Sequence, residues 1–162
     1  MPGIDLIPAQ WLHLTMQGIG FTDEISADEL GRLDHTLTTA LAAVEPPAVE
    51  FRNLTIQREA VYLKAHPAAA LYPLRRAMHT AALCVLGPER FTEPAPDLGT
   101  FLPHVSFGYI NHDGEAQPIA MALGSLTTRT VPVTFAKADL LEYHRDDRMY
   151  EWTSAHPIPI GR

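Results

Sequence analysis

The sequence predicts an α+β fold built as two similar halves. Helical apolar stripes fill residues 26–44 and 68–86, with a shorter one near 117–126. Strand-length apolar runs separated by hairpin signals occupy most of the remaining chain. The order helix, strand, hairpin, strand occurs twice, once after His13 and again after His104.

Each element has a local cause. Ser26-Ala27-Asp28-Glu29 has the form of a capping box, in which Ser26 caps the first turn and Glu29 reaches back to the Ser26 amide. The helix it opens carries Leu30, Leu33, Leu37, Leu41 and Val44 as one buried stripe, and Pro46-Pro47 ends it. Val49, Phe51, Leu54 and Ile56 predict a strand whose phase changes near Asn53, as a bulge would make it do. A hairpin at residues 57–59 leads to a strand at 60–65. The helix at 68–86 has Pro73 near its start and Gly87-Pro88 as its stop. Residues 89–100 are Pro-rich and aperiodic, a loop. A strand at 102–110, a turn at 111–114 and a short helix follow. One long strand region spans 130–143, and a polar hairpin at 145–148 turns into a return strand at 149–153. The tail HPIPIGR reads as irregular.

Only about ten residues precede His13, whereas His104 is preceded by a strand and a helix. The first half is therefore expected to lack its N-terminal strand and helix, as in an N-terminally shortened version of a longer gene product.

Bulk composition narrows the function. The 162 residues suit a single domain, 1–162, with one substantial core, and 46% apolar with 19% charged residues argues against disorder. A formal charge of −7 does not fit a protein that holds nucleic acid mainly by its phosphates, but leaves room for one small anion or nucleotide end in a local pocket. The single Cys84 cannot form an internal disulfide and lies in an apolar helical stretch as packing. No apolar run approaches a membrane span and no secretory signal is visible, so a cytoplasmic location is expected.

Two stretches carry candidate chemistry: Trp11-Leu12-His13-Leu14-Thr15 and Pro103-His104-Val105-Ser106-Phe107. In an extended strand positions i and i+2 share a face, which sets His13 beside Thr15 and His104 beside Ser106, with Leu12, Leu14, Val105 and Phe107 toward the core. With 8 histidines and 18 serines and threonines, chance alone yields about one H-x-[ST] triplet. The weight lies in the matching positions of the two triplets in a repeated half. Two hydrogen-bonded structural histidines are the competing reading.

With its closing strand pair ending in Tyr150-Glu151-Trp152, the chain resembles the 2H phosphoesterase superfamily, especially the 2′-5′ RNA ligase and cyclic phosphodiesterase group. The resemblance covers nearly the whole chain. It implies two pseudo-symmetric lobes whose antiparallel sheets line a central cleft, with helices outside and one H-x-[ST] motif from each lobe. Ser106 stands where threonine is commoner, and Tyr109 where some RNA-processing members carry arginine. The implied activity is hydrolysis of a 2′,3′-cyclic phosphate of an RNA end or small nucleotide, with 2′-5′ ligation as its reverse. Histidine serves as acid or base near neutral pH because its unperturbed pKa is about 6.5. The resemblance gives His104 the base role and His13 the acid role. Thr15 and Ser106 would donate hydrogen bonds to the nonbridging oxygens.

Trp11 and Tyr109 are the candidate substrate contacts, although strict alternation puts Tyr109 on the face opposite His104 unless the strand bends. Lys64, Arg129 and Lys137 are anion-contact candidates that read more simply as ordinary surface charges; Tyr150 and Trp152 suit core or cleft wall. The scheme needs no metal or cofactor and no obligate protein partner. His112-Asp113, or His144 with Asp146 and Asp147, lacks a recognisable ligand spacing. The rival function is a nucleotide-binding or phosphate-binding module that keeps the cleft without turnover.

Overall fold

The structure, a computed structural model, describes residues 3–57, 59–97, 99–111, 117–124, 130–146 and 149–162. It has the strands β1 (Ile4–Leu6), β2 (Ala48–Gln57), β3 (Ala60–His66), β4 (His104–Ile110), β5 (Val131–Thr134), β6 (Lys137–His144) and β7 (Glu151–Pro159). The helices are α1 (Ala27–Ala42), α2 (Tyr72–Leu86) and α3 (Gln117–Gly124). Short 3-10 turns lie at Ala9–Trp11 and Ala68–Leu71. Five strands form one antiparallel sheet in the order β1-β4-β3-β2-β5, and β6 with β7 form a second.

The repeat has a crossed arrangement. The hairpin that follows His13, β2-β3, pairs with β4, the strand of the second motif. The hairpin that follows His104, β6-β7, supplies the aromatic rings against which the first motif rests. Each motif is thus supported by strands from the other half of the chain. The halves are unequal, because the first-motif side has two paired strands and β1 joins the five-stranded sheet beside β4.

Three expectations are corrected. Residues 11–17, expected as a strand, form none; Trp11 ends a 3-10 turn and residues 12–17 join no ladder. The long region 130–143 is two strands, because the chain leaves the first sheet at Phe135 and enters the second at Lys137. The tail is ordered as strand to Pro159, with β7 pairing β6 from Lys137↔Pro159 to His144↔Glu151. Its prolines are tolerated because Ile160 donates its amide to Ala136 at 2.9 Å, so the alternate positions 157 and 159 turn their nitrogens to the free edge.

One face of the large sheet is apolar. Val49, Phe51, Leu54, Ile56, Val61 and Ala65 pack there against Leu71, α3 residues Ile119 and Leu123, and Phe101. Leu37 and Leu41 of α1, Leu74 and Met78 of α2, and Ile158 of β7 form a second cluster that holds the small sheet to the helices. Gly108 marks the closest approach of β1: a β-carbon there would lie 2.7 Å from Ile4 Cγ2.

The capping box of α1 forms as read. Glu29 donates its amide to Ser26 Oγ at 3.3 Å and accepts from the Ser26 amide at 3.0 Å; Arg90 also pairs with Glu29. The Ser26 amide, then Arg90 and the Ser26 hydroxyl, hold the Glu29 carboxyl down to about 2 from its ordinary 4.5. A depressed carboxyl contributes stability above its unfolded pKa and loses it as pH falls through the folded one. The melting-temperature deficit of Glu29→Gln relative to wild type should therefore shrink from pH 5 to pH 2. A deficit constant across that window would show that the charge adds nothing.

Candidate functional site

The second motif is set by strand register. Residues paired across antiparallel strands share a face. His104 pairs with Lys64, Ser106 with Tyr62, and Tyr109 with Ala60, while Val105 pairs with Leu63 on the apolar side. The register jumps between Val61 and Tyr62, so Phe107 is an extra residue on β4. This bulge sends Phe107 into the core with Ile4 and Ile119 and returns Tyr109 to the face of His104 and Ser106. The strand bends as the Tyr109 reading required.

His104 lays its ring on Tyr62, with centroids 4.5 Å apart, and Tyr62 donates its hydroxyl to Gln57 Oε1 at 2.6 Å. Sequence reading missed both supports. Tyr62 shares period two with Lys64, but the register that sets it under His104 is fixed only by pairing.

The first motif is held by rings instead of a ladder. Trp11 meets Trp152 edge-on at 5.0 Å, and His13 meets Tyr150 and Trp152 at 5.5 Å each. Such contacts are worth about 0.5–1.5 kcal/mol apiece beyond area burial. Leu14 and Met16 pack into the core beside Phe51 and Phe135, which leaves His13 and the exposed Thr15 on the other side of the segment. Leu12, expected in the core, is 42% exposed. The Trp11 ring is engaged by Trp152, and its backbone carbonyl is the partner of His13 Nδ1.

The two histidines share one detail. His13 Nδ1 lies 2.8 Å from the carbonyl oxygen of Trp11, and His104 Nδ1 lies 2.8 Å from that of Leu102. A carbonyl oxygen only accepts, so each Nδ1 carries the hydrogen, and no described residue is hydrogen-bonded to either Nε2. In both motifs the histidine is oriented by the backbone two residues before it.

Arg145 joins the half-sites. Its guanidinium lies over Tyr150, the neighbour of His13, at 5.1 Å and over Tyr109 at 5.7 Å, and it pairs with Glu59 at 2.6 Å. The Glu59 hydrogen bond raises the Arg145 pKa further, and burial raises that of Tyr109. Neither group changes charge near neutral pH, so this bridge is fixed. Of the other anion-contact candidates, Lys137 pairs with Asp139 at 2.9 Å on β6, and Arg129 lies outside the described residues. Cys84 is exposed rather than packed.

His144 pairs with Asp146 at 3.3 Å; His112, Asp113 and Asp147 lie outside the described residues. Among the described residues no three His, Cys, Asp or Glu side chains group to hold a metal ion, and no helix is long and apolar enough to cross a membrane. A hollow of about 520 Å³ between α1 and α2, lined by Thr36, Tyr72, Arg76 and Cys84, includes neither motif.

Fold and site together define a two-part α+β protein with one oriented histidine from each part. Residues 2–147 match the model of the 2'-5' RNA ligase superfamily, and the chain belongs to that superfamily, whose members include phosphodiesterases and ligases. No curated protein matches it significantly. Among solved structures it is similar to TT0787 of Thermus thermophilus, at TM-score 0.59 and 20% identity over 97% of this chain and 83% of that one. It is also similar to the MHV ns2 PDE domain, at TM-score 0.54 and 13% identity over 98% and 81%. Both likenesses bear on fold.

Proposed function

We propose that the chain hydrolyses a 2′,3′-cyclic phosphate by two-histidine acid–base catalysis. The observation that carries this reading is the repeated hydrogen bond from Nδ1 to the i−2 carbonyl, which leaves a free Nε2 on each motif. In hydrolysis His104 Nε2 takes a proton from water as its oxygen bonds to phosphorus. His13 Nε2 gives a proton to the ribose oxygen as its bond to phosphorus breaks. Ser106 and Thr15 donate to the nonbridging oxygens, where negative charge builds. Membership in the superfamily and the name of the ns2 domain as a PDE domain support a phosphodiester substrate.

A second reading has its own support. The His13 segment is held by side-chain contacts and joins no ladder, which favours a binding module without turnover. Turnover of a 2′,3′-cyclic nucleotide in excess EDTA separates the two. Hydrolysis that persists under chelation supports the enzyme. Tight nucleotide binding without turnover supports the module, and activity abolished by EDTA contradicts the metal-free scheme.

A further inference from the structure

The face of the large sheet that carries His104 also carries two basic side chains in line with it. Arg52 on β2 pairs with Lys64 on β3, which pairs with His104 on β4. Phe51 and Ala65, their neighbours along the strands, point into the core, which fixes Arg52 and Lys64 on the opposite, open face. Strands lie about 4.8 Å apart, so the row runs roughly 10 Å from the His104 backbone to that of Arg52.

Among the described residues neither Arg52 nor Lys64 makes an ion pair or a ring contact, in a chain of net charge −7. Among the described basic side chains, Arg32, Arg90, Lys137 and Arg145 pair with carboxylates, and Arg75 and Arg76 lie over aromatic rings. Arg52, Lys64 and the C-terminal Arg162 have neither kind of contact. Two basic groups left without a carboxylate beside the candidate base attract an anionic group to that face. Glu50, two residues from Arg52 on the same face of β2 and in register with His66, puts a carboxylate in the neighbouring row.

We infer that Arg52 and Lys64 form a second phosphate subsite, and that the substrate carries a phosphate on the 5′ side of the reacting nucleoside. The inference rests on the phosphodiesterase reading above. The phosphate nearest a terminal 2′,3′-cyclic phosphate in RNA is the one on the 5′ oxygen of the same nucleoside. Lys64 would bind it as a point charge on a flexible stem and Arg52 through its planar guanidinium fork, and the binding should weaken with salt.

The test compares kcat/KM for three substrates: a 2′,3′-cyclic mononucleotide, the same compound with a 5′-phosphate, and a dinucleotide ending in the cyclic phosphate. Wild type should prefer the phosphate-bearing substrates at least tenfold. In the double variant Arg52→Gln, Lys64→Gln that ratio should fall to near one, whereas Arg32→Gln should keep it. Preference for the dinucleotide alone would assign an RNA end, and for both a phosphate from either source. A wild-type ratio near one, or a preference that survives the double variant, overturns the subsite and leaves the phosphodiesterase reading standing. If no substrate turns over, that reading fails, and binding still decides the subsite. A nucleoside 3′,5′-bisphosphate should bind wild type at least tenfold tighter than the 3′-monophosphate, with the difference lost in the double variant; equal affinities would overturn it.

Discussion

Replacing His104 with alanine should lower kcat/KM for a 2′,3′-cyclic nucleotide by about 10²- to 10⁴-fold, the range over which a positioned acid or base acts. The same loss should follow His13→Ala, because the proposed scheme gives each ring one of the two proton transfers. His104 is exposed and its ring rests on Tyr62 without filling a cavity, so the change should leave the melting temperature nearly unmoved. His13 sits between Tyr150 and Trp152, and its removal also takes away two ring contacts. His13→Ala should therefore cost some stability as well as activity. The two variants together should lose little more than either alone, since the groups act in one step. Steady-state kinetics and thermal melts on the three variants check this. Full activity in His104→Ala would remove the second motif from the chemistry.

The second large effect belongs to Ser106. It is half-buried on β4, two residues from His104 and on the same face, in register with Tyr62. A hydroxyl so held donates to a nonbridging oxygen without first having to be ordered, and removing one such donor costs about 10²- to 10³-fold in kcat. Ser106→Ala should show that loss with KM little changed, and Ser106→Thr should restore most of it. Thr15 lies on a segment without ladder hydrogen bonds, so Thr15→Ala should cost less than Ser106→Ala. An unchanged kcat in Ser106→Ala would mean that the hydroxyl serves only the strand.

What the sequence makes legible follows from where the determining interactions lie. The capping box at Ser26 and Glu29 involves groups three residues apart, and it stands in the structure as read. The phase change near Asn53 is a bulge between Arg52 and Leu54, with Asn53 at φ 60°, a conformation asparagine adopts more readily than most residues. Both signals are local. The bulge at Phe107 is different: nothing in His-Val-Ser-Phe-Gly-Tyr distinguishes a regular strand from a bulged one until β3 supplies the register.

Patterning misled in two places for related reasons. Alternating residues at 11–17 predict a strand, and Leu14 and Met16 do face the core, but a strand also needs a hydrogen-bonding neighbour, which no local pattern reports. At the tail, two prolines argued for irregular chain. They are compatible with β7 because their nitrogens turn to an edge that no strand occupies, and edge position is a property of the whole sheet. For the same reason Tyr62, Gln57 and Arg145 escaped the sequence: their roles come from contacts that cross between strands or between sheets.

The central claim is that one free Nε2 from each motif serves as acid and base in the same reaction. The most direct measurement is the pH dependence of kcat/KM for a 2′,3′-cyclic nucleotide in EDTA, for wild type and the two single histidine variants. The account predicts a bell for wild type, reporting one neutral and one protonated ring, with the limb of the missing histidine lost from the residual activity of each variant. A flat wild-type profile, or a bell that keeps both limbs in His13→Ala and in His104→Ala, would contradict it.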